Sequence, residues 1–517
     1  MGYPQAPRLS RRAALQGVLA TGLASPLGAP AGAATAPRAG SDLKTQFAEA
    51  LGRDPYLLAY RSAERPVYRA RRLRTRGRWP NELRGSLYRN GPARHEIGDF
   101  RYQHWFDGDG MLQAFHVDGG RIEHRARFVE THKYVKEKAA GRPIYAGFGT
   151  APPEPVGVTS ADDLNVANIS VLHHNETLFA LWEAGSPWRV DARTLETQRV
   201  GVFSEETRGA PFSAHPRVEP DGQLWNFGYV SPAKKILLWH LGPDGRVRRT
   251  GLIDCDPISM VHDFVVTERF LVLVICPLHY EPTATDGAPP TNFLDLHRWR
   301  GEDPTQVLVV DKNDFSKVQR LELPAQWIFH FSNAWEDSAG VIRFEAASAA
   351  DPAVLQTTFR DIMAGRVTPA AASRLSSYRI DTRRGRVDQT VLRPQGAAEF
   401  PIVSPDVVGR RHRRLLMLTE RRSPHSGLNQ VTLLDPSTAD ERSYRYPDHL
   451  IPEEHLLVGR GKTTGDEPWI LGTALNVRRR RGELFLFDAR ALDAGPVASA
   501  SLPYALPVGL HAKFVAA

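Results

Sequence analysis

Seven strand-like runs of this chain end in an aspartate at a turn: "AFHVDGG" (Asp118), "PWRVDAR" (Asp191), "LWHLGPDG" (Asp244), "VLVVDKN" (Asp311), "SYRIDTR" (Asp381), "VTLLDPS" (Asp435) and "LFLFDAR" (Asp488). The steps between them are 73, 53, 67, 70, 54 and 53 residues. A four-stranded propeller blade takes roughly 40–50 residues plus loops, so the repeat fits seven blades with insertions. The aspartate suits the turn because its carboxylate accepts from nearby backbone N–H groups. Between these points the text is short apolar or alternating runs broken by turn signals such as "PDGQ", "PDGR" and "RRGE". Helical periodicity is scarce, with residues 42–60 and 351–364 the main candidates. The expected fold is all-β, a seven-bladed β-propeller. Residues 61–517 form one unit, although 517 residues would ordinarily suggest several domains.

The repeat gives coordinates to the histidines. His215 ("SAHPRVEPDG") lies 24 residues after its blade aspartate, His262 ("SMVHDFVV") 18 after, His330 ("WIFHFSNAWE") 19 after and His511 ("VGLHAKF") 23 after. Each opens the strand that follows an outer strand, which in a propeller is the innermost one of the next blade. Four imidazoles then converge on the axis from one end. Glu399 ("AAEFPIV") and Glu454 ("PEEHLLV") fall 18 and 19 residues after Asp381 and Asp435, the equivalent place in two blades without a histidine there. His455 shares the second window, so that position is ambiguous.

Four neutral imidazoles suit a borderline metal such as iron, copper, nickel or zinc, and leave the ion its double charge. A carboxylate beside such a ring accepts its other N–H and fixes tautomer and orientation. An octahedral ion with four protein ligands keeps open positions, as dioxygen chemistry requires, whereas a tetrahedral zinc would be closed and structural.

The N-terminus reads "RLSRRAALQGVLATGLASPLGAPAGAATA", paired arginines before a weakly apolar Ala/Gly-rich stretch, and it resembles a twin-arginine export signal. Ala14 stands where a bulky apolar residue is commoner, and prolines 26 and 30 interrupt a run too short to span a bilayer. Residues 1–34 are therefore set apart as a signal, residues 35–60 as a helical lead-in, and a periplasmic location is expected. The formal charge of +8 falls to about +5 once Arg8, Arg11 and Arg12 are removed, which is mild for this length. The runs "RRHRR" (410–414) and "RRRR" (478–481) lie between strand-like segments and read as solvated hairpin tips, so no nucleic-acid partner is expected. Cys255 and Cys276 sit in or near apolar strand text and read as buried thiols.

The stretch "GSLYRNGPARHEIGDFRYQHWFDGDGMLQAFHVDGGRIEHRARFVET" (85–131), followed by "LFALWEAGSPWRVD", "SAHPRVEPDGQLWNFGY", "MVHDFVVTERFLVL", "FHFSNAWE", "EFPIV", "EEHLLV" and "GLHAKFV", resembles the carotenoid cleavage oxygenases in order and spacing. The similarity runs from about residue 55 to the C-terminus. It implies a propeller with one nonhaem Fe(II) on its axis, capped by loops and short helices that form a hydrophobic tunnel. It implies that His215, His262, His330 and His511 are the metal ligands, and that Glu183 ("LWEAG"), Glu399 and Glu454 support them. Glu183 is the one that blade arithmetic misses, and Glu453 competes with Glu454. The implied reaction inserts O2, the cosubstrate, across a conjugated C=C bond to give two carbonyl products.

Stilbene-cleaving relatives tend to carry a lysine just before the first of these glutamates, able to meet a phenolic oxygen; this chain has Trp182, an apolar π-rich wall suited to a polyene. A carotenoid or apocarotenoid substrate is therefore favoured over a stilbene or phenylpropanoid alkene, and both over a non-catalytic propeller with a structural metal. No protein partner is evident. Carotenoids are membrane lipids, so peripheral contact with a membrane is expected, with "TNFLDLHRWR" (291–300) a candidate apolar entrance or a packed loop.

Other residues have plainer readings. Asp107 and Asp109 in "HWFDGDGM" flank glycines and read as turn caps. His173, His174, His279, His297 and His425 read as exposed or structural, and Trp225 and Trp335 as packing inside the blades. The chain shows neither a glycine-rich phosphate loop nor a nucleophile elbow, so nucleotide binding and serine hydrolysis lack support.

Overall fold

A computed structural model describes residues 39–282, 292–368, 373–420, 427–460 and 467–517. Within them the chain forms seven antiparallel sheets arranged as a β-propeller. In chain order the innermost strands are Ser170–His174, Arg217–Val218, Phe264–Val266, Trp327–Glu336, Ala398–Ile402, Leu450–Val458 and Ala512–Ala516. They define the first to seventh blades. Second and third strands such as Phe270–Ile275 ("FLVLVI") and Thr305–Asp311 ("TQVLVVD") are almost wholly buried because both faces of the sheet meet neighbouring blades. Phe227, Leu238, Phe264, Leu273 and Leu308 fill the space between the second and third blades. Outer strands such as Val318–Leu323 alternate instead.

Each repeat aspartate ends the third strand of its blade or follows it directly, except Asp244, which lies three residues past Lys235–Leu241. Six of the seven cap the ensuing turn: Asp191, Asp244, Asp311, Asp381, Asp435 and Asp488 each accept a backbone N–H from two or three residues ahead. Asp118 instead faces Arg84 at 3.4 Å.

The ring closes through both chain ends. The C-terminal strand Ala512–Ala516 pairs with Arg84–Arg89 to complete the seventh blade, whose outer strands are Asp109–Asp118, Arg121–Phe128 and Val67–Ala70. Arg74–Gly77 adds an outer strand to the sixth blade. Closure of this kind covers the flank of Arg84–Arg89 that would otherwise be a free edge.

Among the described residues the α-helices are Ala39–Arg53, His132–Ala140 and Phe359–Met363, with short 3-10 turns between strands. Residues 354–364 hold a π turn and one short helix in place of the continuous helix expected over 351–364. His132–Ala140 escaped periodicity because its buried face is polar: Lys133 and Glu137 are buried together 2.8 Å apart, with Tyr102 bonded to both.

The "RRRR" run sits at the hairpin between Trp469–Asn476 and Arg481–Asp488. The "RRHRR" run differs from a hairpin tip: it lies in a longer connection, and its His412 is buried 3.2 Å from Glu345. Cys255 and Cys276 are buried thiols, and burial pushes them up to about 11 and about 12. Residues 1–38, which include the export-signal reading, and His425 lie outside the described residues.

Candidate metal centre

An inner propeller strand turns its side chains alternately toward its two neighbours, so a residue aimed down the axis needs a strand end or a break in register. Both devices are used. His215 and His262 precede their strands by two residues, and His511 directly precedes Ala512–Ala516. His330, Glu399 and Glu454 lie inside longer strands, each at a bulge where three residues on the inner strand span two on its partner: Ile328 to Phe331, Glu399 to Ile402, and Pro452 to His455. An extra residue of this kind bends the strand and re-aims the side chain.

The four histidines meet. Each offers a ring nitrogen, and these atoms all lie within 4.8 Å of one another. The Nε2 of His262 is 2.9 Å from that of His215 and 3.3 Å from that of His330. The His511 ring centre is 4.6 Å from that of His215 and 4.9 Å from that of His330.

Carboxylates hold the far side of three rings. Glu399 Oε2 lies 2.7 Å from His330 Nδ1, and Glu454 Oε1 lies 3.0 Å from His511 Nδ1. Glu183 Oε1 is in close contact with His262 Nδ1. The fourth ring, His215, has no glutamate; its Nδ1 is 4.0 Å from Asp263, a carboxylate already bound by Arg217 and by the backbone N–H groups of Phe264 and Phe331.

Burial, then the neighbouring imidazoles, holds His215 and His262 well below the usual histidine range. Burial lowers His330, but Glu399, Asp263 and Glu454 together overcome it and leave the ring raised. Burial pushes Glu183 up to about 8, while His511 and Arg89 overcome burial to hold Glu454 low.

The donor set fits a divalent ion. Imidazoles whose Nδ1–H groups point at carboxylates present unprotonated Nε2 atoms. Two such lone pairs 3.3 Å apart, as on His262 and His330, repel unless a cation draws them together. Four neutral nitrogen donors are a set for iron, cobalt, nickel, copper or zinc rather than for calcium or magnesium.

Neighbours with competing readings lie elsewhere. Glu453 accepts from Gly509 N–H and from the Thr473 hydroxyl, both at 2.5 Å, and it is Glu454 that meets His511. His455 is buried against the Tyr446 hydroxyl at 2.7 Å. Asp107 and Asp109 are not caps of their own turn: Asp107 binds the backbone of Phe148 and Gly149, and Asp109 pairs with Arg94 at 2.7 Å. Trp225 packs between blades, stacked on His240 with ring centres 3.9 Å apart. His279 and His297 are buried and hydrogen-bonded within the fold.

Sequence reasoning missed Asp263 and Arg217, although "HD" beside a candidate ligand was visible. It also missed Phe400, whose ring stacks on His330 at 5.1 Å and lies 5.4 Å from His511. From the centre a row of rings runs outward: His262 to Phe329 at 4.5 Å, Phe329 to Phe106 at 6.2 Å, Phe106 to Phe148 at 5.6 Å, and Phe148 to Phe293 at 5.4 Å. The first two phenylalanines are buried and the last two half-buried. Phe293 and Leu294 donate backbone N–H groups to Gly147 and Phe148, which ties residues 292–300 to the loop opposite.

Known proteins resemble this chain over most of its length. The apocarotenoid-15,15'-oxygenase of Synechocystis is 29% identical, covering 85% of this chain and 91% of that protein. An isoeugenol monooxygenase of Pseudomonas nitroreducens is 24% identical, covering 86% and 94%. A solved structure of cobalt-substituted Synechocystis apocarotenoid oxygenase aligns with a TM-score of 0.79 at 26% identity, covering 90% of this chain and 98% of the other. Residues 61–516 match the family described as Retinal pigment epithelial membrane protein. With the whole propeller inside that match, the chain belongs to this family, that of the carotenoid cleavage oxygenases.

Proposed function

We propose that the protein is a nonhaem Fe(II) dioxygenase that cleaves a conjugated C=C bond of a carotenoid or apocarotenoid with O2, placing one oxygen atom on each carbon to give two carbonyl products. The observation that carries this reading is the convergence of four imidazoles, three of them backed by glutamates, at the inner end of a row of aromatic rings. His215, His262, His330 and His511 would hold the iron, which when bound supplies the electron exchange with O2 that a singlet organic substrate lacks.

The chain's own groups do the rest. Glu183, Glu399 and Glu454 fix the orientation of three rings and keep their Nδ1 atoms engaged. Phe400 covers the His330 and His511 rings on one side. Phe329, Phe106, Phe148 and Phe293 offer flat apolar faces at the spacing of aromatic contacts, a surface that binds a polyene and excludes water. Trp182, directly before Glu183, packs against the same apolar cluster. Trp182 stands where a lysine could meet a phenolic oxygen, so the phenylpropanoid-alkene reading ranks second. Export of the folded chain through residues 1–34, with periplasmic action at a membrane surface, is part of the same proposal.

The test is the metal content of anaerobically purified protein beside a His262→Ala variant, with an all-trans apocarotenal assay by chromatography on both. The expected result is near-stoichiometric iron in the wild type only, with two carbonyl fragments appearing only there. Iron without polyene cleavage would move the substrate to phenolic alkenes. Absence of iron, or tight zinc without turnover, would overturn the oxygenase reading.

A further inference from the structure

The histidine contributed by the seventh blade stands apart from the other three. His511 lies at the start of the last strand, and it reaches the axis only when that strand docks on Arg84–Arg89. At the junction sits Arg89, fully buried at 0% exposure. Its guanidinium donates from Nη1 to the carbonyl of Leu510 at 2.7 Å and from Nη2 to the carbonyl of Glu454. Leu510 directly precedes His511, and Glu454 is the carboxylate on His511. One planar cation therefore holds the main chain of both members of the pair.

The surrounding contacts tighten the same joint. Asn90 N–H donates to the His511 carbonyl at 3.1 Å, and Leu510 N–H donates back to the Asn90 carbonyl at 2.7 Å. Glu453, 3.9 Å from Arg89 Nε, takes the Gly509 N–H. A Cβ on Gly91 would lie 2.4 Å from Gly509 Cα, and one on Gly509 would lie 2.6 Å from Arg89 Cδ, so "RNG" and "GLH" meet with no room for side chains. Glu454 Oε2 accepts the Ala512 N–H at 2.6 Å, locking the first residue of the closing strand to the carboxylate that orients His511.

We propose that Arg89 is a positioning residue for the metal centre, acting through the Leu510 and Glu454 carbonyls, and that closing the propeller and loading the metal reinforce each other. The inference rests on the metal-centre reading of the four histidines. A ligand that binds only the closed ring must stabilise closure, and by the same linkage anything that loosens closure must weaken the ligand. Lysine cannot replace arginine here, since one ammonium cannot span two carbonyls in fixed directions.

The experiment uses Co2+ as a spectroscopic probe and backbone hydrogen exchange read by mass spectrometry. In the wild type, Co2+ should slow exchange of residues 509–516 at least tenfold while leaving the outer strand Arg386–Val391 unchanged. Arg89→Lys should lower Co2+ affinity roughly 10–100-fold and speed exchange of 509–516 in the metal-free protein. His262→Ala, which removes the ligand of the third blade and whose ring packs against His215, Phe329 and His330, should lose Co2+ yet leave metal-free exchange of 509–516 as in the wild type. Failure of the wild type to bind Co2+ would sink the metal reading and the coupling with it, while the metal-free exchange of Arg89→Lys still decides the clamp. Equal Co2+ affinity in wild type and Arg89→Lys, or exchange of 509–516 indifferent to Co2+, would overturn the inference and leave the metal reading standing. If Arg89→Lys does not fold, the wild-type exchange comparison decides alone.

Discussion

Phe400 has φ of +54°, a left-handed conformation that side chains rarely adopt, and it does so at the bulge that aims Glu399 at His330. Holding a residue there costs on the order of 1–3 kcal/mol, and a β-branched side chain suffers most. The order of damage should therefore invert the order of size: Phe400→Val should destabilise the metal-free protein by about 1–2 kcal/mol more than Phe400→Gly, although glycine discards the whole ring. Urea unfolding of the two variants checks this, and a valine variant at least as stable as the glycine one would contradict it. This bulge was invisible in the sequence, because "AEFPIV" reads as an ordinary strand start. The histidines were legible for the opposite reason, since each sits 18 to 24 residues after a turn aspartate. Glu183 needed the family resemblance: it follows the second strand of its blade, Thr177–Leu181, and so obeys no inner-strand arithmetic.

At the scale of elements, what could be read was what repeats. The third strand with its capping aspartate recurs because every blade must make the same turn; Asp118 fails to cap where Gly119 and Gly120 already supply the bend. The row of phenylalanines does not repeat. Phe106, Phe148, Phe293 and Phe329 come from four separate segments, and only the folded ring lines them up. If that row guides a polyene, Phe148→Ala should raise the KM for an apocarotenal up to about tenfold, the worth of one aromatic contact of about 0.5–1.5 kcal/mol. Iron content and kcat should stay close to wild type, since Phe148 touches no ligand. Steady-state kinetics with metal analysis of the same samples settles this, and an unchanged KM would remove the row from substrate binding.

The whole molecule carries an acid liability. Burial pushes His104, His124 and His455 down to about 3, so each stays neutral in the folded protein while an unfolded chain takes up a proton below about pH 6.5. The unfolded state then binds more protons, and stability falls as pH drops from about 6.5 toward 3, by about 1.4 kcal/mol per pH unit for each histidine once below pH 6. The urea midpoint of the metal-free protein should therefore decline steadily between pH 7 and pH 5. A flat profile would mean that these rings accept protons without unfolding.

The ring's two ends also set a clock. Arg89 and Leu510 are bonded partners 421 residues apart in the chain. A ribosome adding about 5–20 residues per second takes roughly 20–80 seconds to travel from one to the other. Throughout that interval the flank of Arg84–Arg89 later covered by the C-terminus is a bare strand in a crowded cell. A chain arrested near residue 505 would hold most of its blades and still offer that flank to any passing strand. Every nascent copy therefore depends on its last few residues to withdraw the invitation.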